Sequence, residues 1–151
     1  LGSSQMDRAE EIVIERRQLA QNYNKAFKNL DWLETPKEEN LYHHGYQSYP
    51  CIFSPNFSIK SGELPSIAEI KTNNEKRNYW MEELLTEGIG TRPATHAVHM
   101  LSYYKNKYKL KSKDFYNSFI ANDCSISLPL FHGMKSEEQE FVINSVLKAK
   151  F

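Results

Sequence analysis

Residues 124–150 read CSISLPLFHGMKSEEQEFVINSVLKAK, and the two halves of this stretch follow different periods. In CSISLPLF the apolar residues Ile126, Leu128 and Leu130 fall two apart, so they share one face of a strand. In SEEQEFVINSVLKAK, Ser136 and Gln139 have the spacing of a capping box. Glu137 and Glu138 occupy the first turn and Lys148 and Lys150 the last, as the helix dipole prefers. A strand followed by a well-capped helix is therefore expected at this end.

Moving outward, Asp114 is positioned to cap a short helix bearing Phe115 and Phe119. Further upstream, EKRNYWMEELLTEG (75–88) has Trp80, Leu84 and Leu85 at helical spacing, with Gly88 where a left-handed C-cap belongs. Ile89 to Arg92 can then enter a strand. HHGYQSYPCIF (43–53) alternates Tyr49, Cys51 and Phe53 on one face, as a strand does, and Pro50, which has no N–H to donate, makes an edge or a bulge the expectation. Between them, residues 54–74 mix two prolines, a glycine and many polar residues without steady period, which predicts a surface excursion. Met6, Ala9, Val13, Ala20, Tyr23, Phe27 and Leu30 form one stripe of a long amphipathic helix. Ser4 and Asp7 could box its start, the chain beginning abruptly there, and Glu10 with Arg17 or Glu11 with Arg16 read as solvated pairs. The order of elements, with no Gly-rich phosphate loop, predicts an α+β fold: a long first helix, then a small sheet covered by helices, in a single domain spanning 1–151.

Composition narrows the function. The 19 Lys and Arg balance the 19 Asp and Glu, so no overall field draws the molecule to nucleic acid or an anionic membrane. No apolar run approaches the roughly 20 residues of a membrane helix, and LGSSQMDRAEE has neither the basic nor the apolar region of a signal peptide. A soluble, cytoplasmic protein without membrane association is the expectation. Cys51 and Cys124 form no CxxC pair and sit in apolar stretches, which suits reduced core thiols.

The chemistry-bearing residues concentrate in GIGTRPATHAVHMLSYYKNKY, 88–108, where Arg92, His96 and His99 fall within eight positions. A guanidinium holds a phosphate or carboxylate through paired hydrogen bonds, and an imidazole donates to a sugar oxygen or moves a proton. The alternative is that the two histidines, three apart, satisfy backbone carbonyls. HxxH lacks a third ligand, and no spacing recruits His43 or His44, so no metal is expected. YYKNKYKLKSK, 103–113, interleaves lysines with Tyr103, Tyr104 and Tyr108, the mixture that single-stranded nucleic-acid binders use, although the zero net charge argues against nucleic acid as a partner.

Three segments in order resemble the carboxy-terminal region of the DegT/DnrJ/EryC1/StrS aminotransferases. Residues 1–27 are similar to the family's long linking helix, 88–104 to the stretch after its GI turn, and 125–148 to its serine-leucine-proline strand, loop and final helix. The resemblance implies the small, mostly antiparallel C-terminal domain of a fold type I pyridoxal-phosphate enzyme. It implies amino transfer from glutamate to a keto-sugar nucleotide, with the cofactor lysine on a preceding domain, no catalytic or cofactor-binding residue in this chain, and no cofactor bound to this chain alone. It also implies a homodimer, with sugar nucleotide and amino donor as partners of the whole enzyme. By position His99 matches the family histidine that approaches the sugar nucleotide, Arg92 would help hold its diphosphate, and His96 is a third substrate-binding candidate. The rival expectation is a freestanding binding module that uses segment 103–113.

Overall fold

Tyr23 and Phe27 stack on one another, with ring centroids 5.5 Å apart, on the inner face of the first helix. In the computed structural model, which describes residues 2, 6–55, 57 and 64–151, this helix, α1, runs Ala9–Phe27. Its buried residues lie in its second half: Leu19, Ala20, Tyr23 and Phe27 are buried, whereas Val13 and Ile14, and Met6 ahead of the helix, are exposed. The apolar stripe is thus continuous in sequence but fully buried only at Ala20, Tyr23 and Phe27. Ser4, the expected cap, lies outside the described residues. Arg16 and Arg17 do not pair with Glu11 and Glu10. Arg16 donates to the carbonyls of Tyr46 and Gln47, and Arg17 to His44 O and Glu38 Oε1, so together they pin loop 38–47 to the helix.

The sheet has three antiparallel strands in the order β1 (Leu33–Glu34), β2 (Tyr49–Phe53), β3 (Ser125–Leu128). The expected alternation in β2 holds, with Tyr49, Cys51 and Phe53 buried. Its expected place at an edge does not: β2 is central, pairing Leu33 with Phe53 on one side and Tyr49 with Leu128 on the other. Pro50 is tolerated because it faces Ser127, whose N–H turns away from β2 to Arg92 O at 2.7 Å, so nothing is donated across the strands at this pair. On the other side β1 ends opposite Ile52, short of Pro50. The strand expected at 89–92 is reduced to that one bridge between Arg92 and Ser127.

Helix α2 runs Ile67–Thr86, so the second part of the expected excursion is helical; residues 56 and 58–63 of that stretch lie outside the described residues. A capping box starts it, Glu69 N donating to Ser66 Oγ and Ser66 N to Glu69 Oε2. It ends, as expected, at Gly88, whose φ of 85° is costly for any residue with a Cβ. Its inner stripe is Ile70, Asn73, Arg77, Trp80 and Leu84, while Leu85 faces solvent.

After the 3₁₀ turn Val98–Met100 come α3 (Ser102–Tyr108), a second 3₁₀ turn (Ser112–Phe115) and α4 (Tyr116–Cys124). Asp114 is not the N-cap; its carboxylate sits one turn in and accepts from Lys111 N. The last helix, α5, spans Ser136–Lys148 and is also capped one residue earlier than expected, through Lys135 N to Glu138 Oε2. Gln139 is therefore free for another task. Buried against α1, it donates to Leu19 O at 2.8 Å and accepts from Asn22 Nδ2 at 2.9 Å.

The main core is aromatic. Phe53 and Trp80 stack at 5.4 Å, and Trp32 and Phe151 close on both edge-on. A smaller cluster of Ile70, Phe119, Ile120 and Cys124 joins α2 to α4. Both cysteines are free and buried.

Candidate functional site

The chain leaving α2 at Gly88 has no regular partner of its own, and three tertiary bonds fix its course. Arg92 O accepts from Ser127 N in β3. Ala94 N donates to Ser125 Oγ at 3.1 Å, and Ala97 N donates to Asn122 Oδ1 at 2.9 Å. Met100 N then returns to Ala97 O at 2.9 Å and closes the turn that holds His99.

His99 is 6% exposed, and its Nε2 is shielded without a hydrogen-bond partner. An imidazole nitrogen in that state costs free energy unless a ligand supplies the missing partner. The ring lies 5.2 Å from that of Phe115, and the two line a cleft of about 380 Å³ with His96, Val98, Tyr104 and Tyr108. The alternative reading of the two histidines, that they satisfy backbone carbonyls, finds no support: among the described residues neither ring makes such a bond. His96 is exposed at the same cleft. Tyr104 stacks on Tyr108 at 6.4 Å, and Lys107 Nζ stands 5.3 Å from the rings of both Tyr103 and Tyr108, so the aromatic wall has a cationic rim.

Arg92 does not share this cleft. Its side chain is exposed and borders a second depression of about 240 Å³ with Gln47, Ser48, Ser127 and Pro129. His96 and His99 thus line one cleft, while the backbone bridge to Ser127 carries Arg92 to another cavity.

Beneath the histidine loop lie polar residues that no motif marks. Arg77, 4% exposed, donates to Ser125 O at 2.7 Å and Asn122 O at 3.4 Å, and burial pulls its pKa below the ordinary arginine value. Asn73 Nδ2 donates to Phe53 O. Their signal was in the sequence as two polar members of the stripe Ile70, Trp80, Leu84. Among the described residues no group of three or more His, Cys, Asp or Glu could hold a metal ion, and no helix is long and apolar enough to cross a membrane.

A model of the DegT/DnrJ/EryC1/StrS aminotransferase family matches residues 1–147. The chain belongs to that family. It is 28% identical over 98% of its length to the uncharacterized protein MJ1066 of Methanocaldococcus jannaschii, covering 34% of that protein. It is 24% identical over 94% of its length to the UDP-4-amino-4,6-dideoxy-N-acetyl-beta-L-altrosamine transaminase of Campylobacter jejuni, covering 33%. The fold superimposes on Spr1654 from Streptococcus pneumoniae, described as a sugar aminotransferase and solved in its PLP form, with TM-score 0.77 at 19% identity, over 96% of this chain and 33% of that one. The chain spans about a third of the length of the curated relatives it matches.

Proposed function

We propose that this chain is the small C-terminal domain of a cytoplasmic, homodimeric aminotransferase that moves an amino group from glutamate to a keto-sugar nucleotide, and that His99 binds the sugar nucleotide. The observation that carries the site assignment is the shielded, unpartnered Nε2 of His99 beside an aromatic cleft with a cationic rim. A buried imidazole there can hydrogen-bond a phosphate or sugar oxygen, and the exclusion of water strengthens that bond. His96, at the same cleft but exposed, would meet the ligand's outer part. Arg92 would pair with an anion through two parallel hydrogen bonds; we assign it the diphosphate of a ligand long enough to span both depressions.

Pyridoxal phosphate, when bound, supplies the electron sink for amino transfer. Its aldehyde needs a desolvated lysine, and every described lysine of this chain is exposed, so these residues do not fit the role of holding it. The cofactor lysine is assigned to the rest of the enzyme. The contribution of this chain is to bind and orient substrate, and alone it is expected to be inactive.

Replacing His99 with Gln in the intact protein tests the site. The KM for the sugar nucleotide should rise about tenfold while the cofactor's absorbance is unchanged. Unaltered kinetics would remove His99 from the site.

A second reading rests on α3, none of whose side chains is buried and which presents Lys105, Lys107 and three tyrosines to solvent. Oligonucleotide binding that weakens with salt and disappears on replacing Lys105, Lys107 and Lys109 would favour a binding module instead. No binding at low salt would dismiss it.

A further inference from the structure

The ring of His99 makes no hydrogen bond among the described residues, so beyond its packing against Phe115 its position is inherited from the backbone that carries it. That backbone is suspended from α4. Ala97, two residues before His99, is buried, and its N–H is accepted by the side chain of Asn122, 25 residues away in sequence. Because Ala97 O in turn accepts from Met100 N, fixing Ala97 fixes both ends of the turn around His99. Asn122 is itself held on two sides: its Nδ2 donates to Asp123 Oδ1 at 2.5 Å, and its carbonyl receives the Arg77 guanidinium. A second support, Ser125 Oγ, takes Ala94 N on the other side of His96.

We propose that Asn122 is a positioning residue that sets where the His99 imidazole stands in the cleft, and so controls binding of the sugar nucleotide without touching it. This rests on the assignment of His99 to substrate binding. Asn122 can do this because a side-chain acceptor is the one partner of the Ala97 N–H. Without it a buried donor is left unpaired, and the turn must move to reach water or another oxygen. Ala97 cannot replace the bond locally, since a residue opening a 3₁₀ turn has no carbonyl behind it to bond.

Asn122→Leu removes the acceptor at similar size, and Asn122→Asp keeps it, made always together with Asp123→Asn so that the pair retains one side-chain donor and one charge. In the intact protein, Asn122→Leu should raise the sugar-nucleotide KM about tenfold with kcat within about twofold, and Asn122→Asp should recover most of the loss. On a His99→Gln background, Asn122→Leu should change KM by less than about twofold, because the two residues act through one contact. Independently of any ligand, the ring Cε1–H resonance of His99, assigned by its loss in His99→Gln, should shift in Asn122→Leu and return in Asn122→Asp. If Asn122→Leu does not fold, Asn122→Ala takes its place against Asn122→Asp. An unmoved His99 resonance, or an equal KM increase in both backgrounds, would overturn the proposal. If His99→Gln itself leaves KM unchanged, the substrate assignment falls, and the resonance still decides whether Asn122 positions the ring.

Discussion

Arg77 Nη1 donates to the carbonyl oxygen of Ser125 at 2.7 Å, joining the middle of α2 to the first residue of β3. The guanidinium is buried, has no carboxylate within ion-pair distance among the described residues, and spends its other donors on Asn78 Oδ1 and Asn122 O. It sits at the carbonyl end of α4, where the helix dipole favours a cation. Arg77→Leu should lower stability by about 2 kcal/mol, because it strands buried carbonyls. Arg77→Lys should recover less than half, since an ammonium cannot reproduce the fork. The urea midpoint, at unchanged slope, measures both. A lysine variant as stable as the wild type would show that the fork is not used.

The first turn of α2 should respond to acid. The Ser66 hydrogen bonds, side chain first and then backbone, hold the Glu69 carboxyl below the usual carboxylate range. A depressed folded value means that the carboxylate stabilises the fold above its unfolded pKa, and that this support is lost as pH falls through the folded value. Hydrogen-exchange protection of Ile70 N, which bonds Ser66 O, should therefore drop as the pH falls below the usual carboxylate range, and Ser66→Ala should flatten the dependence. Equal profiles for both proteins would show that the box does not couple to the carboxyl.

Neither thiol should react in the native protein. Burial lifts the Cys124 thiol to about 11, against the opposing pull of Asn73 and Arg77, and lifts that of Cys51 further. At about pH 8 the Cys124 thiolate fraction is on the order of one in a thousand, so iodoacetamide should label both residues only after urea unfolding. Native labelling at the rate of a free thiol would reveal local opening at the α4 end.

Period and spacing made β2, β3 and α5 legible, because apolar alternation and terminal charge are properties of neighbouring residues. Gly88 was legible for the same reason: a left-handed residue after a helical stripe ends the helix. The start of α2 was hidden because its inner face carries Asn73 and Arg77 where an apolar stripe was sought, though Ser66 and Glu69 had the box spacing. Pro50 misled because its missing N–H matters only on the side where a partner strand runs, and that depends on where β1 stops. Glu138, not Gln139, caps α5, since Gln139 is claimed by α1. At the site, His96 and His99 are three apart and line one cleft, as neighbours on a turn can. The separation of Arg92 and the role assigned to Asn122 arise from bonds spanning 35 and 25 residues, and no local pattern encodes them.

The bridge from Ser127 to Arg92 also bears on how the molecule behaves in a crowd. An open sheet has two borders, each a template for a strand from another copy. On one border the Ser127 N–H is already spent, and Pro129 next along has none to offer. On the other, β1 is two residues long, too short to seat an incoming chain. Among the described residues, neither border of the sheet thus offers a run of free N–H groups to an incoming strand.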